Sequence, residues 1–237
     1  LTIQIWLILM NINVNIKNII IDKPLKLDCG QTINNYSLAY ETYGSLNENK
    51  DNAILIFHAL TGDQFVSGIN PITKKEGWWS YAVGSGKAID TDKYFVICAN
   101  VIGGCMGSFG PSDINPDTNK KYGTTFPVIT INDMVNAQFN LLNFFNIEKL
   151  FAVMGGSMGG MQTLQFVNNF PDKAKVAIPI ACTASHSAQN IAFNELGRQS
   201  IMADANWENG DYSNQNKNPN KGLSVARMAA HITYLSK

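Results

Sequence analysis

Charge is scarce in this chain. Only 15% of its 237 residues are charged, 18 basic against 18 acidic, and the formal net charge is zero. No basic stripe stands out, which argues against nucleic acid as a partner. Histidine occurs three times, at His58, His186 and His231. The four cysteines, Cys29, Cys98, Cys105 and Cys182, form no C-x-x-C pair and follow no zinc spacing, so no metal site is expected. Free thiols in a reducing, cytoplasmic setting are the simplest expectation. Long apolar runs are missing too. Residues 3–10 are apolar apart from Gln4, but they are too short to span a bilayer and lack the basic flank of a signal peptide, so no membrane partner is expected. The chain opens on Leu1 rather than methionine, and a mis-start or a fragment is the expectation for residues 1–20. What is present is 45% hydrophobic residue, enough for one globular domain, or one domain with an insertion.

Hydrophobic patterning suggests alternating strands and helices. Tyr36, Leu38, Tyr40 and Thr42 alternate as in a half-buried strand, and residues 11–27 have the composition of edge strands. The continuous apolar runs at 53–57 and 93–99 read as strands buried on both faces. Ile131, Met134, Val135, Phe139, Leu142 and Phe145 fall at helical spacing, with Asn132 as a plausible N-cap. Residues 174–180 form another largely apolar strand, 190–205 and 224–235 read as helices, and 207–221 as an Asn-rich loop. This order implies a mostly parallel sheet with helices on both faces.

The stretch with chemical content is 150–162, L-F-A-V-M-G-G-S-M-G-G-M-Q. An apolar strand runs into Gly155-Gly156-Ser157-Met158-Gly159-Gly160, and helical spacing resumes with Met161, Leu164, Phe166 and Val167. This matches G-x-S-x-G, the nucleophile elbow, in which a strand turning straight into a helix holds a serine in a strained conformation at the apex. Gly155, Gly159 and Gly160 would supply the room. The plainer alternative is a glycine-rich turn with an incidental serine; the strand before and the helix after favour the elbow. In such a site the Met158 N–H faces a developing oxyanion, and a second donor comes from the loop after an early buried strand. Phe57-His58-Ala59-Leu60-Thr61-Gly62 occupies that place, with the Leu60 N–H as the candidate.

A serine nucleophile needs a base and an orienting acid, in the chain order Ser, Asp or Glu, His on this architecture. His58 precedes the serine, His186 follows the next strand closely, and His231 falls within a helix, where a packing role is the commoner one. The expectation is that this chain stops before its acid and base, and that it turns over little substrate alone.

Six blocks then resemble one family. They are L-A-Y-E-T-Y-G-S-L-N (38–47), H-A-L-T-G-D (58–63), G-W-W (77–79), N-V-I-G-G-C-M-G-S-F-G-P-S-D-I-N-P (100–116), G-G-S-M-G-G-M-Q (155–162) and A-R-M-A-A-H-I-T-Y-L-S (226–236). In this order they are similar to the homoserine O-acetyltransferases, enzymes of the α/β-hydrolase fold. The resemblance runs from about Pro24 to the last residue. It implies a hydrolase-fold core over 1–184, incomplete at its C-terminal end, and the start of a helical lid insertion at 185–237. It also implies two-step acyl transfer without metal or permanent cofactor, from acetyl-CoA through an acyl-Ser157 to the hydroxyl of L-homoserine, in methionine synthesis. Leu60 and Met158 would donate to the oxyanion, Arg227 would hold the amino-acid carboxylate, and Tyr234, two helical turns on, would line the same tunnel. A homodimer is the family's usual state. A serine esterase or thioesterase of the same fold, or an inactive fragment or binding module, are the rival expectations.

Overall fold

A computed structural model describes residues 16–234. The described chain divides into two compact units, one formed by the residues up to Gly110 with Pro127–Ala184, the other by Pro111–Phe126 with the residues from Ser185 on.

The first unit is built on a six-stranded mixed sheet. Its strands are β1 (Asn18–Ile21), β2 (Tyr36–Tyr43), β3 (Ala53–Phe57), β4 (Phe95–Ala99), β5 (Leu150–Gly156) and β6 (Ala174–Ile180). They lie in the order β1-β2-β4-β3-β5-β6. The pairs β4–β3, β3–β5 and β5–β6 are parallel, whereas β1–β2 and β2–β4 are antiparallel. Every residue of β3 and β4 is buried, as their unbroken apolar runs require. Side chains alternate between the faces: Ala53, Leu55 and Phe57 join one cluster, Ile54 and Ile56 another.

The first cluster is closed by two helices, α1 (Ile131–Phe144) and α2 (Met158–Asn169). Val135, Leu141 and Phe166 pack down onto it, and the Phe139 and Phe170 rings stack at 3.9 Å between the helices. Among the described residues of this unit, no helix covers the second cluster. Val66, Val83 and Ile89, with Trp78 and Trp79, close that face from a turn-rich segment. Helices on both faces were expected; among the described residues of this unit they occupy one. Glycines at 62, 68, 77, 84 and 86 interrupt any helical run there, and a Cβ at Gly77 would lie 2.5 Å from the Val66 carbonyl carbon.

One local expectation differs from the structure. The N-cap of α1 is Thr130, not Asn132: its hydroxyl accepts the Asp133 N–H while Asp133 accepts the Thr130 N–H, a reciprocal capping box. Asn132 instead bonds Asp28 and Asn169. The apolar strand β6 lies at the sheet edge, paired with β5 alone, and Val176, Ile178 and Ile180 are exposed among the described residues. The edge strands expected over 11–27 appear as β1 and the two-residue Leu25–Lys26; the part before residue 16 lies outside the described residues.

The second unit contains two paired helices, α3 (Ala188–Met202) and α4 (Asn220–Tyr234). They approach closely where a Cβ at Gly222 would stand 2.3 Å from the Ser200 carbonyl oxygen. Asp204 accepts the Gly222 N–H at 2.8 Å. No helix among the described residues is long and apolar enough to cross a membrane.

Candidate active site

The strand β5 ends at Gly156 and α2 begins at Met158, so Ser157 alone makes the turn. Its backbone has φ 56° and ψ −119°. For a residue with a Cβ this is a strained conformation costing about 1–3 kcal/mol, sustained only where surrounding contacts dictate it. Those contacts are visible. The Ser157 N–H donates to Ile180 O of β6 at 3.0 Å, and Ser157 O accepts the Met161 N–H at 3.0 Å. Gly155 pairs with Phe57 and Gly156 with Ile180 in register. Next to the elbow, Ala181 also has a positive φ of 46°. The Ser157 side chain is exposed and makes no capping bond to its own helix, so the hydroxyl is free.

The glycines divide by role. A Cβ at Gly159 would lie 2.1 Å from Phe57 O, and one at Gly155 2.5 Å from the Gly159 carbonyl. One at Gly160 would meet the Cys182 side chain at 2.7 Å. All three places were expected to need glycine, and these distances explain why: α2 starts in backbone contact with the end of β3. Gly156 has nothing within 4 Å of its Cβ position.

Leu60 follows β3 in a tight turn, closed by the Gly62 N–H on Ala59 O at 2.8 Å. Phe57 and Gly155 are register partners, and Leu60 and Met158 each stand three residues beyond them. The two expected donors therefore leave the sheet from neighbouring strands at the same end. Neither N–H has a hydrogen-bond partner among the described residues. The Met158 N–H is further favoured for an anion by its place in the first turn of α2.

His58 has no freedom to act as a base. It is 1% exposed. Its Nδ1 is 2.7 Å from Ala59 O, which can only accept, so Nδ1 carries the hydrogen. Nε2 then accepts the Val101 N–H at 3.1 Å, with the Asn100 amide at 3.3 Å. Both nitrogens are engaged in tying the Leu60 loop to the loop after β4. Burial pushes the imidazole pKa down, against a smaller opposing effect of the Ala59 bond, so the ring is held neutral. Nearby, Asp63 accepts the Phe65 N–H at 2.8 Å and the Asn70 amide at 3.1 Å. Burial raises its pKa despite these bonds.

The other expected residues belong to the second unit. Arg227 and Tyr234 lie on α4, both exposed, and seven residues apart they share one side of that helix. His231 lies on α4 as well, and His186 just before α3. The histidine content of the first unit is His58 alone. Among the described residues no group of three or more metal-binding side chains is present.

Comparison with known proteins supports the same architecture. The family model described as alpha/beta hydrolase fold matches residues 52–237. This chain belongs to the α/β-hydrolase fold family. It is 99% identical over 228 residues to a homoserine O-acetyltransferase of Pelagibacter ubique, covering 96% of this chain and 61% of that relative. Among solved structures, a homoserine O-acetyltransferase from Bacillus anthracis superposes with a TM-score of 0.84 at 30% identity, over 91% of this chain and 59% of the other. Esterase E22 superposes with a TM-score of 0.83 at 34% identity, over 90% and 60%. The chain thus spans about three fifths of the length of the relatives it matches.

Two outcomes follow from this geometry. Gly159→Ala is expected to lower stability by about 1–3 kcal/mol because its methyl meets backbone rather than a movable side chain, while Gly156→Ala stays within about 0.5 kcal/mol; urea melts of the two variants check this. His58 is neutral when folded, whereas the unfolded ring binds a proton below its ordinary value of 6.5. Below that pH the unfolded state holds more protons, so stability falls as pH falls, by up to about 1.4 kcal/mol per pH unit. Urea midpoints between pH 7.5 and 5 should show this slope in the unsubstituted chain and lose it in His58→Asn.

Proposed function

We propose that the full-length protein is an O-acyltransferase that moves the acetyl group of acetyl-CoA to the side-chain hydroxyl of L-homoserine. The observation that carries this reading is the exposed Ser157 hydroxyl at a strained strand-to-helix apex, with Leu60 and Met158, whose N–H groups have no partner among the described residues, following adjacent strands at that end of the sheet. Ser157 Oγ attacks the thioester carbonyl carbon, and the carbonyl oxygen takes up negative charge facing the two N–H groups. The C–S bond breaks, and CoA leaves as the thiol with the proton that a base took from Ser157. The homoserine hydroxyl then attacks the acyl-serine, loses its proton to the same base, and frees Ser157 on collapse. His58 cannot be that base. The reading assigns the base and its acid to the part of the relatives that this chain does not span, so the 237-residue chain alone is expected to acylate Ser157 slowly, by a factor of about 10⁴ or more.

Arg227 is proposed to hold the homoserine carboxylate. A guanidinium grips a carboxylate through two parallel hydrogen bonds, and no hydrogen bond or ion pair engages the Arg227 side chain among the described residues. Tyr234 is proposed to line the same acceptor site as Arg227, with a homodimer as the assembly and the cytoplasm as the setting. Hydrolysis by the same machinery is the second reading, favoured by the likeness to esterase E22. The two differ in whether water or the amino acid discharges the acyl-serine.

The test uses this chain continued with the C-terminal part of the Pelagibacter relative. Incubation with acetyl-CoA should add one acetyl group to the peptide carrying Ser157, and L-homoserine should discharge it far faster than buffer alone. Ser157→Ala should give no adduct. Discharge at one rate with and without homoserine would establish the hydrolase instead, and an adduct elsewhere would refute the nucleophile.

A further inference from the structure

Two glutamines lie beneath the elbow with no part in the acyl transfer described above. Gln138 on α1 and Gln162 on α2 are both fully buried. An amide in an apolar interior is costly unless its polar atoms are bonded, so its partners show what it is there to hold. Gln138 Nε2 donates to Gln162 Oε1 at 2.8 Å. Gln162 Nε2 then faces two carbonyl oxygens at once, His58 O and Met158 O, each at 3.4 Å. The opposite amide orientation would set Gln162 Oε1 against both carbonyls, so the bond from Gln138 keeps the donor end turned toward them. Gln138 completes this arrangement while its own Oε1 has no hydrogen-bond partner among the described residues.

The two carbonyls belong to the two segments that carry the free N–H groups. Met158 is one donor residue, and His58 lies two residues before the other, Leu60. The His58 ring fastens this loop sideways, to Val101 and Asn100. Nothing in those bonds ties the loop to α2. The Gln162 amide does, one helical turn into α2, where it shares its hydrogens between the two main chains.

We infer that Gln162, oriented by Gln138, is a positioning residue that sets the spacing between the Leu60 and Met158 N–H groups. This rests on the acyl-transfer reading of the same site. Leucine at position 162 fills similar volume but removes the side-chain donor that the His58 and Met158 carbonyls share, so the helix and the loop can drift apart while the core stays packed. An oxyanion site depends steeply on donor placement, so the loss falls on the acylation step rather than on substrate binding.

The experiment uses the chain continued with the C-terminal part of the Pelagibacter relative. Gln162→Leu and Gln138→Leu are compared with the unsubstituted protein in three readouts: kcat and KM for acetyl-CoA, the infrared carbonyl stretch of a ¹³C-acetyl group on Ser157, and the melting midpoint. Gln162→Leu is expected to lower kcat about tenfold to a hundredfold at unchanged KM. The acyl carbonyl band should shift to higher wavenumber as the carbonyl loses polarisation, and Gln138→Leu should shift it the same way by less. A lowered melting midpoint with kcat and the band unmoved would assign Gln162 to packing alone and overturn the inference. Should Gln162→Leu fail to fold, the band and kcat of Gln138→Leu decide by the same criteria. If the unsubstituted protein forms no acyl-Ser157, the acyl-transfer reading falls and this inference with it; if the adduct forms normally and the band does not move, only the inference falls.

Discussion

The first turn of α2 rests directly on the backbone at the end of β3, with no side chain between them. Gly159 makes this approach possible, since even a methyl there would sit 2.1 Å from Phe57 O. A helix that starts so close to the sheet leaves one residue to reverse the chain. That residue is Ser157, and its positive φ is the consequence. The ends of β3 and β5 lie side by side, so the turn that carries Leu60 and the helix that begins at Met158 leave the sheet at the same end, each with an N–H that has no partner among the described residues. The strained serine and both donors thus stand at one end of the sheet.

Polar groups buried around this contact keep it from relaxing. The neutral His58 ring links the Leu60 loop to the loop after β4 through bonds at both nitrogens. Thr163 Oγ1 caps the Gly159 carbonyl at 2.9 Å, and Gln162 reaches the main chain on both sides of the gap. Each bond is worth only about 1 kcal/mol net, but an unmade one in such an interior costs more, so the arrangement resists small displacements.

The elbow was legible in the sequence because its cause is local: an apolar run, small residues in fixed places and a resumed helical period. The buried strands β3 and β4 were legible for a similar reason. What could not be read was set by contacts distant along the chain. Asn132 looks like a cap, yet Thr130 wins because Asp133 can return a bond to it. The segment covering the second face of the sheet has no period to recognise and owes its place to scattered residues such as Val66, Val83 and Ile89. His58 stands in the motif that points to Leu60, but its tautomer and its lack of basic function depend on Val101 and Asn100. Gln162 closes the 155–162 motif, which assigns it no role. A polar amide at a position facing the core was the available signal, and only its partners His58 and Gln138 give it meaning. Arg227 and Tyr234 rest on resemblance, since nothing in a helix sequence marks an arginine as a ligand.

Under the proposed function, Leu60 and Met158 jointly face the oxygen of a group carried on Ser157. The most direct measurement is a crystal structure of the full-length protein with a phosphonate trapped on Ser157. The phosphonyl oxygen should lie about 2.7–3.1 Å from both backbone nitrogens, with Ser157 still at positive φ. An oxygen turned toward solvent, or bonded by groups other than these two, would contradict it.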